Sequence, residues 1–161
     1  MTIVATRIDG RLIHGQVANL WTTKLNISRI MVVDEDIVNS DLEKTALKLA
    51  TPAGIKLSVL TIDKAATNIL AGRYDSQRLL IVAKRPKTFL GLMNKGVTLT
   101  ELNVGNMSQT PETRSVTRSI NVVDEDIQDF DAIQAKGIHL IAQMVPGDTP
   151  ADFIPLLDKV R

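Results

Sequence analysis

Cysteine is absent from the 161-residue chain, and histidine occurs only twice. The first absence excludes disulfides, a thiolate nucleophile and cysteine-held zinc or iron–sulfur sites, and it fits a reducing compartment. Aromatic side chains are nearly as scarce: three Phe, one Trp and one Tyr cannot build a platform that stacks unpaired bases. Neither sign of charge prevails. Nineteen Lys and Arg stand against eighteen Asp and Glu for a net +1, so no global field draws the molecule onto nucleic acid or an anionic membrane. An anion that binds must be caught locally. Long apolar runs are missing too: "MTIVATRIDGRLIHG" holds an Asp and two Arg where a signal peptide needs an unbroken apolar stretch, and no later segment approaches about eighteen apolar residues. These features predict a cytoplasmic protein, neither exported nor membrane-spanning by itself.

What is present is an ordinary globular balance, 44% hydrophobic and 23% charged. A chain of this length buries about two-thirds of its unfolded surface around one core. No repeat, low-complexity tract or shift in composition divides it, which predicts one domain over 1–161. Seven β-rich runs alternate with amphipathic stretches: "IVATRID" from Ile3, "RIMVVD" from Arg29, "KLSVLT" from Lys56, "RLLIVA" from Arg78, "TELNVG" from Thr100, "SINVV" from Ser119 and "GIHLIAQMV" from Gly137. Several are apolar on both faces, as in a parallel sheet covered by helices on each side, so the expected class is α/β.

Helix boundaries are legible in the same way. "SDLEKTALKLA" opens with a capping box, Ser40 and Glu43, and Leu42, Ala46, Leu47 and Ala50 fall on one predicted apolar face. Thr61 can cap the next helix, and Gly72 can take the left-handed position that ends it. Pro86 suits a first turn and Gly96 the position after a last one. "DEDIQDFDAIQAKG" puts acids first and Lys136–Gly137 last, as the helix dipole favours. A final helix is expected in "TPADFIPLLDKV", where Pro155 requires a kink or a later start. Residues 105–119, with three Ser, three Thr, a Pro and two Arg, read as a long loop or hairpin.

The stretch that points to chemistry is "RIDGRLIHGQV", residues 7–17. If the first strand ends near Asp9 and a helix begins near Gly15, His14 lies at the edge where open α/β sheets bind ligands. The helix amino end would offer the amides of Gly15, Gln16 and Val17 to a phosphate, and Arg11 could grip two of its oxygens. A neutral imidazole can attack phosphorus, and Asp9 could orient its other nitrogen or balance Arg11. The same His14 could instead merely cap a helix in a non-catalytic ligand-binding or interaction module. Leu12–Ile13 are candidates for part of a partner-docking face. Arg85, Arg114 and Arg118 could contact phosphate or a sugar-carrying partner, or be solvated surface.

Other chemistries find less support. His139 sits in a predicted strand with no second ligand at metal spacing. The acidic runs match no calcium loop, and neither a P-loop nor a complete G-x-G-x-x-G occurs. No serine stands in a G-x-S-x-G elbow.

"RIDGRLIHGQV", followed by Trp21, "IMVVDED" and "KLATPAGIKLSVLT", resembles the IIB subunit of the mannose, fructose, sorbose and N-acetylgalactosamine family of the bacterial phosphoenolpyruvate-dependent sugar phosphotransferase system, and the likeness runs through nearly the whole chain. The resemblance implies a mostly parallel seven-stranded sheet with helices on both faces. It implies a carrier that takes a phosphoryl group from a IIA protein or domain onto Nδ1 of His14. That carrier then passes the group to a sugar arriving through the membrane subunits IIC and IID, with no cofactor or metal. Residues 9–14 map onto the family's active loop, and "GNMSQTPETRSVTRSINV" is similar to members acting on N-acetylgalactosamine or related amino sugars. A homodimer stays open, because apolar stripes for a core and for a dimer face look alike in sequence.

Overall fold

The computed structural model describes residues 3–161. In chain order its elements are β1 (Ile3–Asp9), α1 (Gly15–Lys24), β2 (Arg29–Val33), a 3-10 turn (Ile37–Asn39), α2 (Asp41–Ala50), β3 (Lys56–Leu60), α3 (Ile62–Leu70), β4 (Leu79–Ala83), α4 (Pro86–Asn94), β5 (Glu101–Asn106), β6 (Arg114–Ser115), β7 (Asn121–Val122), α5 (Asp124–Ala135), β8 (His139–Ala142), β9 (Ala151–Asp152) and α6 (Phe153–Asp158). Seven strands form one sheet in the order β3-β2-β4-β1-β5-β8-β9, parallel except for β9. Helices cover both faces. Leu47 of α2 joins Leu12, Ile13, Ile30 and Val82 on one side; Ala65, Phe89, Phe130 and Phe153 from α3 to α6 pack on the other. Burying each of these aromatic or branched side chains stabilises the fold by about 1.5–3 kcal/mol.

The helix ends follow the residues read as signals. Ser40 Oγ accepts from Glu43 N–H at 3.2 Å and Thr61 Oγ1 from Lys64 N–H at 3.1 Å. Gly72, Gly96 and Gly137 take positive φ after their helices, and Pro86 opens α4. The apolar face expected for α2 is corrected. Leu42 is 82% exposed and Ala46 is exposed, while Leu47 is buried and Ala50 half-buried. At 3.6 residues per turn the four positions span an arc of about 140°, and α2 turns only its Leu47 side inward.

Six of the seven expected strands lie in the sheet. "SINVV" does not: Asn121–Val122 pairs antiparallel with Arg114–Ser115, and only Ile120 bridges toward the sheet, at Met107. Its apolar residues signal burial rather than sheet membership, since Ile120 and Val122 are 2% and 0% exposed. The seventh sheet strand is Ala151–Asp152, a segment the sequence pattern assigns to the last helix. That helix begins at Phe153, whose ring packs 4.6 Å from that of Phe130. Pro155 therefore falls in a first turn, where its missing N–H costs nothing.

His139 starts β8 at the sheet edge opposite the end of β1. Its Nε2 meets Asp152 of β9 at 2.9 Å and its Nδ1 meets Glu101 of β5 at 3.4 Å, so both nitrogens are engaged. The bond to Asp152 leads in raising its pKa above the ordinary 6.5. A raised folded value means stabilisation that is complete below about pH 6.5 and is lost as pH rises through the higher folded value. The melting temperatures of wild type and His139→Gln are thus expected to differ at about pH 6 and to converge by about pH 9. An unchanged gap would mean the imidazolium does not help to hold β9.

Candidate active site

In β1 side chains alternate between the faces of the sheet, so Arg7 and Asp9 share the α1 side while Ile8 enters the opposite core. The strand ends against β5: Gly10 N–H donates to Asn106 O at 2.9 Å, and a Cβ on Gly10 would lie 2.7 Å from Ser108 Oγ and 3.2 Å from its amide nitrogen. A side chain there would have to displace the Ser108 hydroxyl and press on its backbone. Leu12 N–H returns to Asp9 O at 3.0 Å, closing a turn in which Leu12 adopts φ 62°. For a residue with a Cβ this left-handed conformation costs about 1–2 kcal/mol. Burial offsets it: Leu12 and Ile13 are each 5% exposed, packed with Ile30, Val32 and Val82. The pair is a clamp that ties the loop to the sheet, not the docking face the sequence suggests.

His14 follows as the residue that starts α1, with its side chain 21% exposed. It makes no side-chain capping bond to the helix. Instead its Nε2 lies 3.1 Å from Asp9 Oδ2. A carboxylate can only accept, so Nε2 carries the proton and Nδ1 of the neutral ring keeps the lone pair. Asp9 itself is 1% exposed and fully engaged: Oδ1 accepts Arg11 N–H at 2.9 Å, and Oδ2 also meets Arg7 Nη2 at 3.4 Å. Of the two roles open to Asp9, orienting the imidazole is the one the geometry supports. Its ionic partner is Arg7, not the Arg11 guanidinium.

The groups the sequence offers to an anion lie beside the ring. No acid stands in the first turn of α1, and its first backbone bond is Ala18 N–H to His14 O, so the Gly15, Gln16 and Val17 amides have no protein acceptor among the described residues. Gly15 and Gln16 are exposed, and so is Arg11, whose guanidinium has no ionic partner among the described residues. The hollow at His14 holds about 10 Å³, room for one water at most, so a reacting group must arrive from outside.

The other arginines divide. Arg85 meets both oxygens of the buried Asp126 at 3.3 Å, although it also borders a hollow of about 150 Å³ shared with Gly10, Lys84 and Ser108. Arg114 is engaged by Asp124 and by Val160 O. Arg118 is exposed and has no side-chain partner among the described residues. One residue the sequence reading missed is Arg7, 4% exposed behind Asp9. A charged residue inside the apolar run "IVATRID" was its signal.

Over residues 3–161 the chain matches the family model described as the PTS system sorbose subfamily IIB component. It is 32% identical over 160 residues to the PTS system fructose-specific EIIB component of Bacillus subtilis, covering 99% of this chain and 98% of that one. It is also 32% identical over 160 residues to the PTS system mannose-specific EIIAB component of Escherichia coli K12, covering 99% of this chain and 50% of that one. Among solved structures, the IIBSor domain of the sorbose permease from Klebsiella pneumoniae is similar with a TM-score of 0.94 at 29% identity, covering 99% of this chain and 98% of that one.

Proposed function

Because the chain belongs to the sorbose subfamily of PTS IIB components, we propose that this phosphotransferase works as a phosphohistidine carrier with His14 as its nucleophile. The observation that carries the reading is the contact of His14 Nε2 with Asp9, which leaves Nδ1 as the nitrogen with a free lone pair. In the accepting step that lone pair attacks phosphorus while the donor's P–N bond breaks and its electron pair returns to the donor nitrogen. The Gly15, Gln16 and Val17 amides and Arg11 hold the oxygens on which charge accumulates. Little more is needed than alignment and neutralisation, which suits a shallow site open to a partner.

The donor in this reading is a phosphorylated IIA protein or domain. The E. coli relative joins IIA and IIB in its name and is matched over half its length, which supports that pairing. The acceptor is a sugar, a hexose or amino sugar, delivered by the membrane subunits IIC and IID. Relatives named for fructose, mannose and sorbose are 32%, 32% and 29% identical to this chain, so its own share of the work is the relay common to all, and cargo choice lies with its partners. An N-acetylgalactosamine cargo is one case of that class.

The test is to incubate the wild type with phosphoenolpyruvate, the general phosphotransferase proteins and a matching IIA. An acid-labile, alkali-stable phosphoryl group on an imidazole nitrogen is expected. A wild type that stays unlabelled overturns the reading and favours a binding module.

A further inference from the structure

Arg7 occupies a site built for it. Its Nη1 donates to Gln143 O and its Nη2 to Met144 O, both at 2.9 Å. Its guanidinium carbon lies 5.4 Å from the centre of the Trp21 ring, and Trp21 Nε1 donates to that same Met144 O at 3.0 Å. On the far side is Gly105, where a Cβ would come within 2.2 Å of the guanidinium carbon. Burial lowers the Arg7 pKa and Asp9 partly restores it, so the group stays a cation. Burying such a charge costs several kcal/mol per ion even in a relaxed interior, and an apolar side chain of similar volume would often hold the fold as well. Stability alone is a poor reason for it. The one carboxylate it meets among the described residues is Asp9, which also holds His14.

We propose that Arg7 is a positioning residue that acts on His14 through Asp9 and fixes which ring nitrogen takes the phosphoryl group. The proposal rests on the carrier reading above. When Nδ1 attacks phosphorus, the Nε2 proton stays where it is and the ring becomes a phosphoimidazolium cation facing Asp9. Transfer of that proton to Asp9 would neutralise the carboxylate and strip a buried guanidinium of its counter-charge, so Arg7 opposes it. The phosphorylated ring thus keeps its proton. When the P–N bond later breaks, its electron pair returns to Nδ1 and a neutral, Nε2-protonated ring leaves, ready for the next cycle. Without Arg7, Asp9 Oδ2 has lost its second donor and only the Arg11 amide holds the carboxylate from its other oxygen, so it is free to turn from Nε2 and the bond that distinguishes the ring nitrogens is no longer fixed.

Two substitutions test this in a His139→Gln background, which leaves one histidine signal. Arg7→Met removes the cation. Gly105→Ala keeps every charge but drives the guanidinium from its seat, and it carries the test if Arg7→Met does not fold. Ring nitrogen NMR on the unphosphorylated protein is expected to show the proton on Nε2 in the parent and a mixture of tautomers in both variants. Phosphoryl uptake should slow about 10- to 100-fold, by analogy with the loss on removing the hydrogen-bond partner behind a metal-bound histidine, with phosphorus found on both nitrogens. A folded variant that keeps the parental ring spectrum overturns the proposal, as does a parent ring protonated on Nδ1. Failure of the parent to accept a phosphoryl group counts against the carrier reading instead, because the tautomer spectra need no phosphorylation.

Discussion

An Arg11→Ala protein is expected to melt with the wild type and yet to accept phosphoryl groups about 10²- to 10³-fold more slowly, the usual cost of removing one group that stabilises developing charge. The guanidinium is exposed and has no ionic partner among the described residues, so the fold loses little. Asp9 keeps its bond to residue 11, because that bond comes from the main chain. In the proposed transfer, the amides at the head of α1 and this side chain share the phosphoryl oxygens, and the variant loses only the side chain. The companion variant His14→Ala should take no label at all. Stopped-flow transfer from phosphorylated IIA, with melting curves on the same samples, checks both. An Arg11→Ala protein that melts early yet transfers at full rate when folded would remove Arg11 from the machinery.

The second large effect concerns stability. Leu12→Ala should destabilise the protein by about 2–5 kcal/mol, the range for truncating a buried leucine. The loop Asp9–Gly10–Arg11 is short and polar, and its course depends on Leu12 being drawn into the cluster of Ile30, Val32 and Val82. That burial outweighs the φ of 62°, so the truncated loop is expected to lose its left-handed turn and to release Asp9 from the Arg11 amide. Urea denaturation gives the stability change. Donor affinity measured well below the transition should fall only in step with the loss of loop order. Normal melting with abolished donor binding would return Leu12 to the docking surface.

Much of this architecture is legible in the order of residues, and the failures have physical causes. Ser40, Thr61, Pro86, Gly72 and Gly96 act on neighbours within a few positions, so their patterns mark helix ends locally. The placement of His14 between strand and helix is equally local. Leu12 and Ile13 are different: an apolar pair in a loop has no period, and the inward turn is set by one backbone angle that no residue type announces. Arg7 depends on carbonyls 136 and 137 residues away, and strand β9 is two residues recruited by an edge. Arg114 reads as a loop cation until Asp124 and the chain's end are brought beside it.

The chain's only indole stands against the Arg7 guanidinium and is tied to Met144, with Arg7 and Asp9 between it and His14. Its ultraviolet emission therefore has one source and one environment, free of overlap from any other tryptophan. If His14 carries the phosphoryl group as proposed, charging and discharging that imidazole should alter the field across the indole, and the unlabelled protein would then report its own occupancy during turnover without a dye or an isotope.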